Sequence, residues 1–203
     1  MLAWRPVEQQ LVVMTTVQPV RWGILGAATI AVNKVIPAMR ASRLSRPVAI
    51  ASRDITKAKH AAERLGVPRA YGSYEELIAD PEIEAIYNPL PNHLHVPWSI
   101  RAAQSGKHVL CEKPIALTAD EARTLLAARD MNGVQVAEAF MVRTHPQWLE
   151  VERLIASGAI GPLRLVSGLF SYNKRDATDI RSRVEWGGGA LNVVWAVPAA
   201  ARR

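Results

Sequence analysis

Between residues 20 and 140 the apolar positions fall into short continuous runs, separated by longer stretches with helical spacing. VRWGIL (20–25), PVAIAS (47–52), EAIYNP (84–89), KHVLCEKP (107–114) and GVQVAEAF (133–140) read as strands. IAVNKVIPAMRAS (30–42) reads as a helix, with Ile30, Val35, Ile36 and Met39 on one face and Pro37 predicting a kink. ITKAKHAAERLG (55–66) is a helix capped by Asp54 and closed by Gly66. Ser73 caps a short helix, SYEELIAD, and HVPWSIRAAQSG (95–106) forms another that ends at Gly106. TADEARTLLAARDMNG (118–133) opens on Thr118 as cap, with acidic residues in its first turn. This alternation predicts a parallel sheet covered by helices on both faces, the doubly wound Rossmann α/β class with right-handed crossovers.

Past Thr144 the pattern changes. HPQWLEVERLIASGAIG (145–161) predicts a long helix ending at Gly158 or Gly161, and PLRLVSGLFSYN (162–173) a longer strand than any before it. A polar loop, NKRDATDIRSRVEW, and GGGAL follow. The chain thus divides into a tail (1–18), a nucleotide-binding domain (19–144) and the start of an incomplete α+β second domain (145–203), thin for a core of its own. Met14 begins a segment that reads as a natural start, so the first thirteen residues are expected to reflect start-site choice.

Composition narrows the function classes. Hydrophobic residues make up 49% and charged residues 21% of the 203, as in ordinary globular proteins. No apolar run is long enough to span a bilayer, and the opening lacks the features of a signal peptide, so a cytoplasmic location without membrane partners is expected. One cysteine, Cys111, leaves no internal disulfide. The net charge is +7, but the basic residues are scattered and match no nucleic-acid-binding motif. No nucleic-acid partner and no metal is assigned.

The chemistry gathers at strand ends. In RWGILGAATIA (21–31) a strand runs into a turn and a helix, with Gly26, Ala28 and Ala31 at the positions of a dinucleotide fingerprint, G-x-A-x-x-A. Gly26 permits the tight turn, Ala28 lies where backbone approaches pyrophosphate, and Ala31 keeps helix and strand close. The second strand ends in Ser52 and Arg53, with Lys57 a helical turn on. No carboxylate stands at that strand end to repel a 2′-phosphate, which favours NADP and leaves NAD open. NPLPNHLH (88–95) supplies a proline-stiffened turn and two histidines, His93 and His95, as supporting acid–base groups. CEKP (111–114) places Lys113 at a strand end to donate to a substrate oxygen, ahead of an X-Pro bond open to the cis form.

GILGAATIA, the SRD after the second strand, the stretch from IYNPLPNHLH through CEKPIALTADEA, and EAFMVRTHPQW together resemble the Gfo/Idh/MocA oxidoreductases, over about Val20 to Leu191. The branch resembled is that of the NADP-dependent sugar and dihydrodiol dehydrogenases. That resemblance implies hydride transfer between NADP and a ring hydroxyl or hemiacetal carbon of a sugar or cyclic diol, and a homo-oligomer in the full-length family. It implies Lys113 as the proton-handling residue, with Glu112 shaping the same pocket. Asn88, Pro89 and His95 are implied along the nicotinamide side, and Arg143 near the substrate mouth. The match stops after WGGGAL: Val193 stands where the family carries Asp, and Val197 where it carries His or Tyr. A truncation or frameshift near Asn192 is expected from that, and the alternative function is a nucleotide-binding fragment without catalysis. A binding or scaffold module using the Rossmann half as a sensor is a third reading.

Overall fold

The computed structural model describes residues 17–167, 169 and 183–189. Strands β1 (Val20–Leu25), β2 (Ser45–Ala51), β3 (Arg69–Tyr71), β4 (Ala85–Asn88), β5 (His108–Glu112) and β6 (Val136–Ala139) form one sheet in the order β3-β2-β1-β4-β5-β6. Every pairing is parallel. The direction of strand addition reverses between β1 and β4, which opens a crevice at the carboxyl ends of those two strands.

The strand period of two divides the core into two layers. Ile24, Ile50 and Tyr87 point to one face, where they meet Ile36 and Met39 of α1 (Ile36–Ala41) and Ala61 and Ala62 of α2 (Ile55–Leu65). Leu25, Ala49 and Ile86 point to the other, against Leu77 of α3 (Tyr74–Ala79) and Ala102 of α4 (His95–Gln104). α5 (Ala119–Asn132) lies beside α4, with Ala128 meeting Ala103 and Val134. Burial on both faces explains why the strands read as continuous apolar runs instead of alternating ones.

The caps read from sequence are present. Asp54 accepts from the N–H groups of Thr56 and Lys57, Ser73 from that of Glu76, and Thr118 from that of Glu121. Gly66 closes α2 in the left-handed conformation.

Several expectations are corrected. At Pro37 the helix changes register: a π-helical turn, Ala31–Val35, precedes it, and the Ile36 N–H reaches back to the Ala31 carbonyl. Pro37 has no N–H for the carbonyl four residues earlier, and widening the preceding turn resolves that mismatch. β3 was not predicted, since three half-buried residues show no period. β5 stops at Glu112, so Lys113 and Pro114 lie in the turn beyond it, joined by a cis peptide bond. α6 (Pro146–Ala156) closes at Ser157 and the left-handed Gly158, the earlier of the two stops read from sequence. The first residues of the strand expected over 162–173 pair with no other strand among the described residues, because a ladder needs a neighbour. The rest of that segment, Val193 and Val197 lie outside the described residues.

Candidate cofactor and active site

Gly26 follows β1 with φ +84°, a conformation that side chains disfavour. Its N–H donates to the Ala51 carbonyl at 2.8 Å, tying the turn to β2. A Cβ there would lie 3.1 Å from Leu90 Cδ2. Ala31 is fully buried beneath the turn, and Ala28 is half-buried beside it. Among the described residues no side chain caps the helix that follows, so its first N–H groups and positive dipole end are left to an anion. A bare glycine turn against an uncapped helix start fits the pyrophosphate of a dinucleotide.

At the end of β2, Arg53 is exposed, and its charge acts on the Tyr74 hydroxyl against the rise that burial causes there. That hydroxyl lies 3.6 Å from the position of a Cβ on Gly26, so Arg53 and the fingerprint turn share one edge. Ser52 Oγ accepts from the Asp54 N–H at 3.2 Å. Lys57 turns instead to the Asp54 carboxylate, at 3.8 Å, with both side chains exposed. Of the three groups read for a 2′-phosphate, the structure brings Ser52 and Arg53 to the strand end and sets Lys57 against the cap.

β4 and β5 carry the other half. Asn88 pairs with Cys111 across the ladder, which sets the turn after Asn88 beside the turn after Glu112. Asn88 is fully buried; its amide donates to the His95 carbonyl at 3.0 Å and to Ser99 Oγ at 3.1 Å, and its own oxygen accepts from the Leu90 N–H. Pro89 is buried beside it. His95 is 1% exposed, with its ring nitrogens 2.7 Å from the Pro114 and Leu90 carbonyls. Burial pushes the His95 pKa down, and the two carbonyls and the Glu112 and Glu138 carboxylates oppose that shift.

Glu112 is half-buried and accepts from the Tyr87 hydroxyl at 2.7 Å and from the Lys113 N–H at 3.3 Å. Burial, reinforced by that carboxylate, holds the Tyr87 hydroxyl well above the usual tyrosine range. Lys113 is half-buried at the strand end. Arg143 is exposed in a 3-10 turn, Met141–Thr144, that follows β6. With strands about 4.8 Å apart, the turn after β1 and the turn after β5 are separated across the sheet by two strand spacings, about 10 Å.

Residues 20–140 match the model of an oxidoreductase family with an NAD-binding Rossmann fold, Gfo/Idh/MocA. The chain belongs to this family. It is 46% identical over 182 residues to D-xylose 1-dehydrogenase (NADP(+)) 2 of Haloferax volcanii, covering 88% of this chain and 55% of that protein. It is 35% identical over 178 residues to the trans-1,2-dihydrobenzene-1,2-diol dehydrogenase of Mus musculus, covering 85% of this chain and 52% of that one. The solved structure of KijD10, a 3-ketoreductase from Actinomadura kijaniata in complex with NADP and TDP-benzene, superposes with a TM-score of 0.85 at 37% identity, over 90% of this chain and 56% of KijD10. The chain spans about half the length of the relatives it matches.

For a Gfo/Idh/MocA chain, some contributors to the site were not legible. Tyr74 carries no signal in its own segment, because its hydroxyl comes beside the Gly26 turn only after α3 folds back over the sheet edge. Asn92 donates to the Gly187 carbonyl at 2.8 Å, and the Trp186 ring stacks on His93 with centroids 6.4 Å apart. WGGG stands out as a string, but its seat on the turn after β4 depends on a contact 95 residues away. Among the described residues no helix is long and apolar enough to cross a membrane.

Proposed function

We propose that this chain is the nucleotide-binding part, residues 19–144, and the beginning of the substrate part of an NADP-dependent oxidoreductase. The reaction class is hydride transfer between nicotinamide and a hydroxyl-bearing carbon of a sugar or cyclic diol. The observation that carries the reading is the alignment of Gly26, the Asn88–Pro89 turn and the Glu112–Lys113 turn on adjacent strands at the switch point. The xylose and diol dehydrogenases among its relatives, and NADP in the KijD10 structure, support the substrate class and the cofactor.

The cofactor supplies the centre that takes up or releases the hydride. The bare Gly26 turn and the uncapped helix receive its pyrophosphate, with Ala28 and Ala31 leaving room. Arg53 and Ser52 meet the 2′-phosphate by charge and hydrogen bond, with Lys57 contributing only when it leaves Asp54. Asn88, Pro89 and His95 shape the nicotinamide side from behind, since their polar groups face inward. Lys113 Nζ holds the substrate oxygen: in reduction its ammonium would stabilise the developing alkoxide and give it a proton, and in oxidation its neutral amine would take the hydroxyl proton. Glu112 braces that turn, and Arg143 stands at the substrate side. A cytoplasmic location and homo-oligomeric assembly go with this reading, the latter tested by sedimentation.

Titration with NADPH and NADH, followed by energy transfer from the tryptophans, tests the reading. Tight NADPH and weak NADH binding is expected, and Arg53→Ala should weaken NADPH by about tenfold or more while changing NADH little. A folded sample that binds neither nucleotide overturns the proposal. Binding without oxidation of D-xylose or a cyclic diol would leave the nucleotide-binding fragment as the better description.

A further inference from the structure

The turn over residues 113–115 is held from three sides. Lys113 N–H donates to Glu112 Oε2 at 3.3 Å, Ile115 N–H donates to Glu138 Oε1 at 2.9 Å, and the Pro114 carbonyl faces His95 Nδ1 at 2.7 Å. On the other side of the His95 ring, Nε2 faces the Leu90 carbonyl, also at 2.7 Å. A carbonyl oxygen offers only lone pairs, so both contacts need an N–H from the ring. Neutral imidazole has one N–H. Its second nitrogen would then present a lone pair to an oxygen lone pair at a distance where an N–H···O bond is short, and no rotation of the ring lets one proton serve both oxygens.

We propose that His95 is a doubly protonated imidazolium that clips the turn after β4 to the turn after β5, and that it is thereby a positioning residue for Lys113. The electrostatic surroundings are divided. Burial opposes the charge, as the ring is almost inaccessible, and it is the largest influence, lowering the pKa overall. The two carbonyls favour it, and so do the carboxylates of Glu112 from β5 and Glu138 from β6, which flank the turn that the ring holds. The other polar side chains around it, Asn88 of β4 and Ser99 of α4, are neutral and bonded to each other. Cys111 stays a neutral thiol, because burial pushes it up to about 12. The geometry decides between these influences: two carbonyl oxygens at 2.7 Å each require a proton.

The inference rests on the reading of these turns as the nicotinamide and Lys113 side of the site. Long-range proton–nitrogen correlation spectra of the full, uniformly ¹⁵N-labelled chain test the charge directly, with the His95 resonances assigned by their loss in His95→Gln. Both ring nitrogens should appear protonated at neutral pH, against the lowering that burial imposes. A single protonated nitrogen beside a bare one at neutral pH overturns the clip. His95→Gln and His95→Phe should each weaken NADPH binding by about tenfold or more, since neither supplies two opposed charged donors. A folded His95→Gln chain with wild-type NADPH affinity overturns the positioning role. A wild-type chain that shows the imidazolium but binds no NADPH would sink the proposed function and leave the clip standing.

Discussion

Cys111 lies on β5 immediately before Glu112 and Lys113, yet its side chain is fully buried. Burial pushes its thiol from the usual 9.0 up to about 12, and a hydrogen bond with Ser99 only partly offsets that. A thiol reagent at mildly alkaline pH should therefore leave the folded chain untouched and label it once per molecule after denaturation. The sign for stability follows from linkage. The folded state holds this proton more tightly than the unfolded chain, so its contribution is present below 9.0 and is lost as pH rises toward about 12. Urea midpoints should fall over that window, and less steeply in Cys111→Ala. Gly26 is the other residue whose setting decides its role. Gly26→Val places a branched side chain at φ +84° against Leu90, and should cost roughly 1–2 kcal/mol in unfolding while removing NADPH binding. Gly26 was legible as a motif. The inertness of Cys111 was not, because it comes from residues on other elements.

Helix α2 shows what a single element contributes. Asp54 caps it with two backbone contacts, at 3.0 Å and 3.3 Å, and also draws Lys57. Asp54→Ala should lower stability by about 1 kcal/mol, read from the urea midpoint. The same change removes a carboxylate beside Arg53 and frees Lys57, so NADPH affinity should rise while stability falls. A drop in both would mean that the cap, and not the local charge, governs that edge. Caps and glycine stops were legible because they depend on residues within one turn of each other. The π-helical turn before Pro37 and the short β3 were not, since one is an adjustment of helix register and the other exists only because β2 offers it an edge.

Across the whole molecule, the segment 183–189 meets the domain far from it in sequence. Gly187 is buried with φ +76°, and a Cβ there would come within 2.6 Å of Leu117 and 2.9 Å of Asn92. The Arg183 guanidinium stands 4.6 Å over the Trp186 ring, which in turn stacks on His93. Gly187→Ala should unseat this segment, so that proteases cut near Trp186 faster while the urea midpoint of the sheet domain changes little. Unchanged cleavage would mean that the seat is not held by that contact. The chain's own text determined the strand runs, the helix caps, the glycine turn and Lys113 at a strand end. Each of these is written in neighbours a few residues apart, where backbone sterics and local hydrogen bonds act. Only the tertiary structure decided that Asn88 and His95 face inward, that Lys57 turns to Asp54, and that Glu112, Glu138 and His95 together grip one turn. Those outcomes depend on which carbonyls and carboxylates the sheet order brings within hydrogen-bond reach, and sequence spacing carries no record of that.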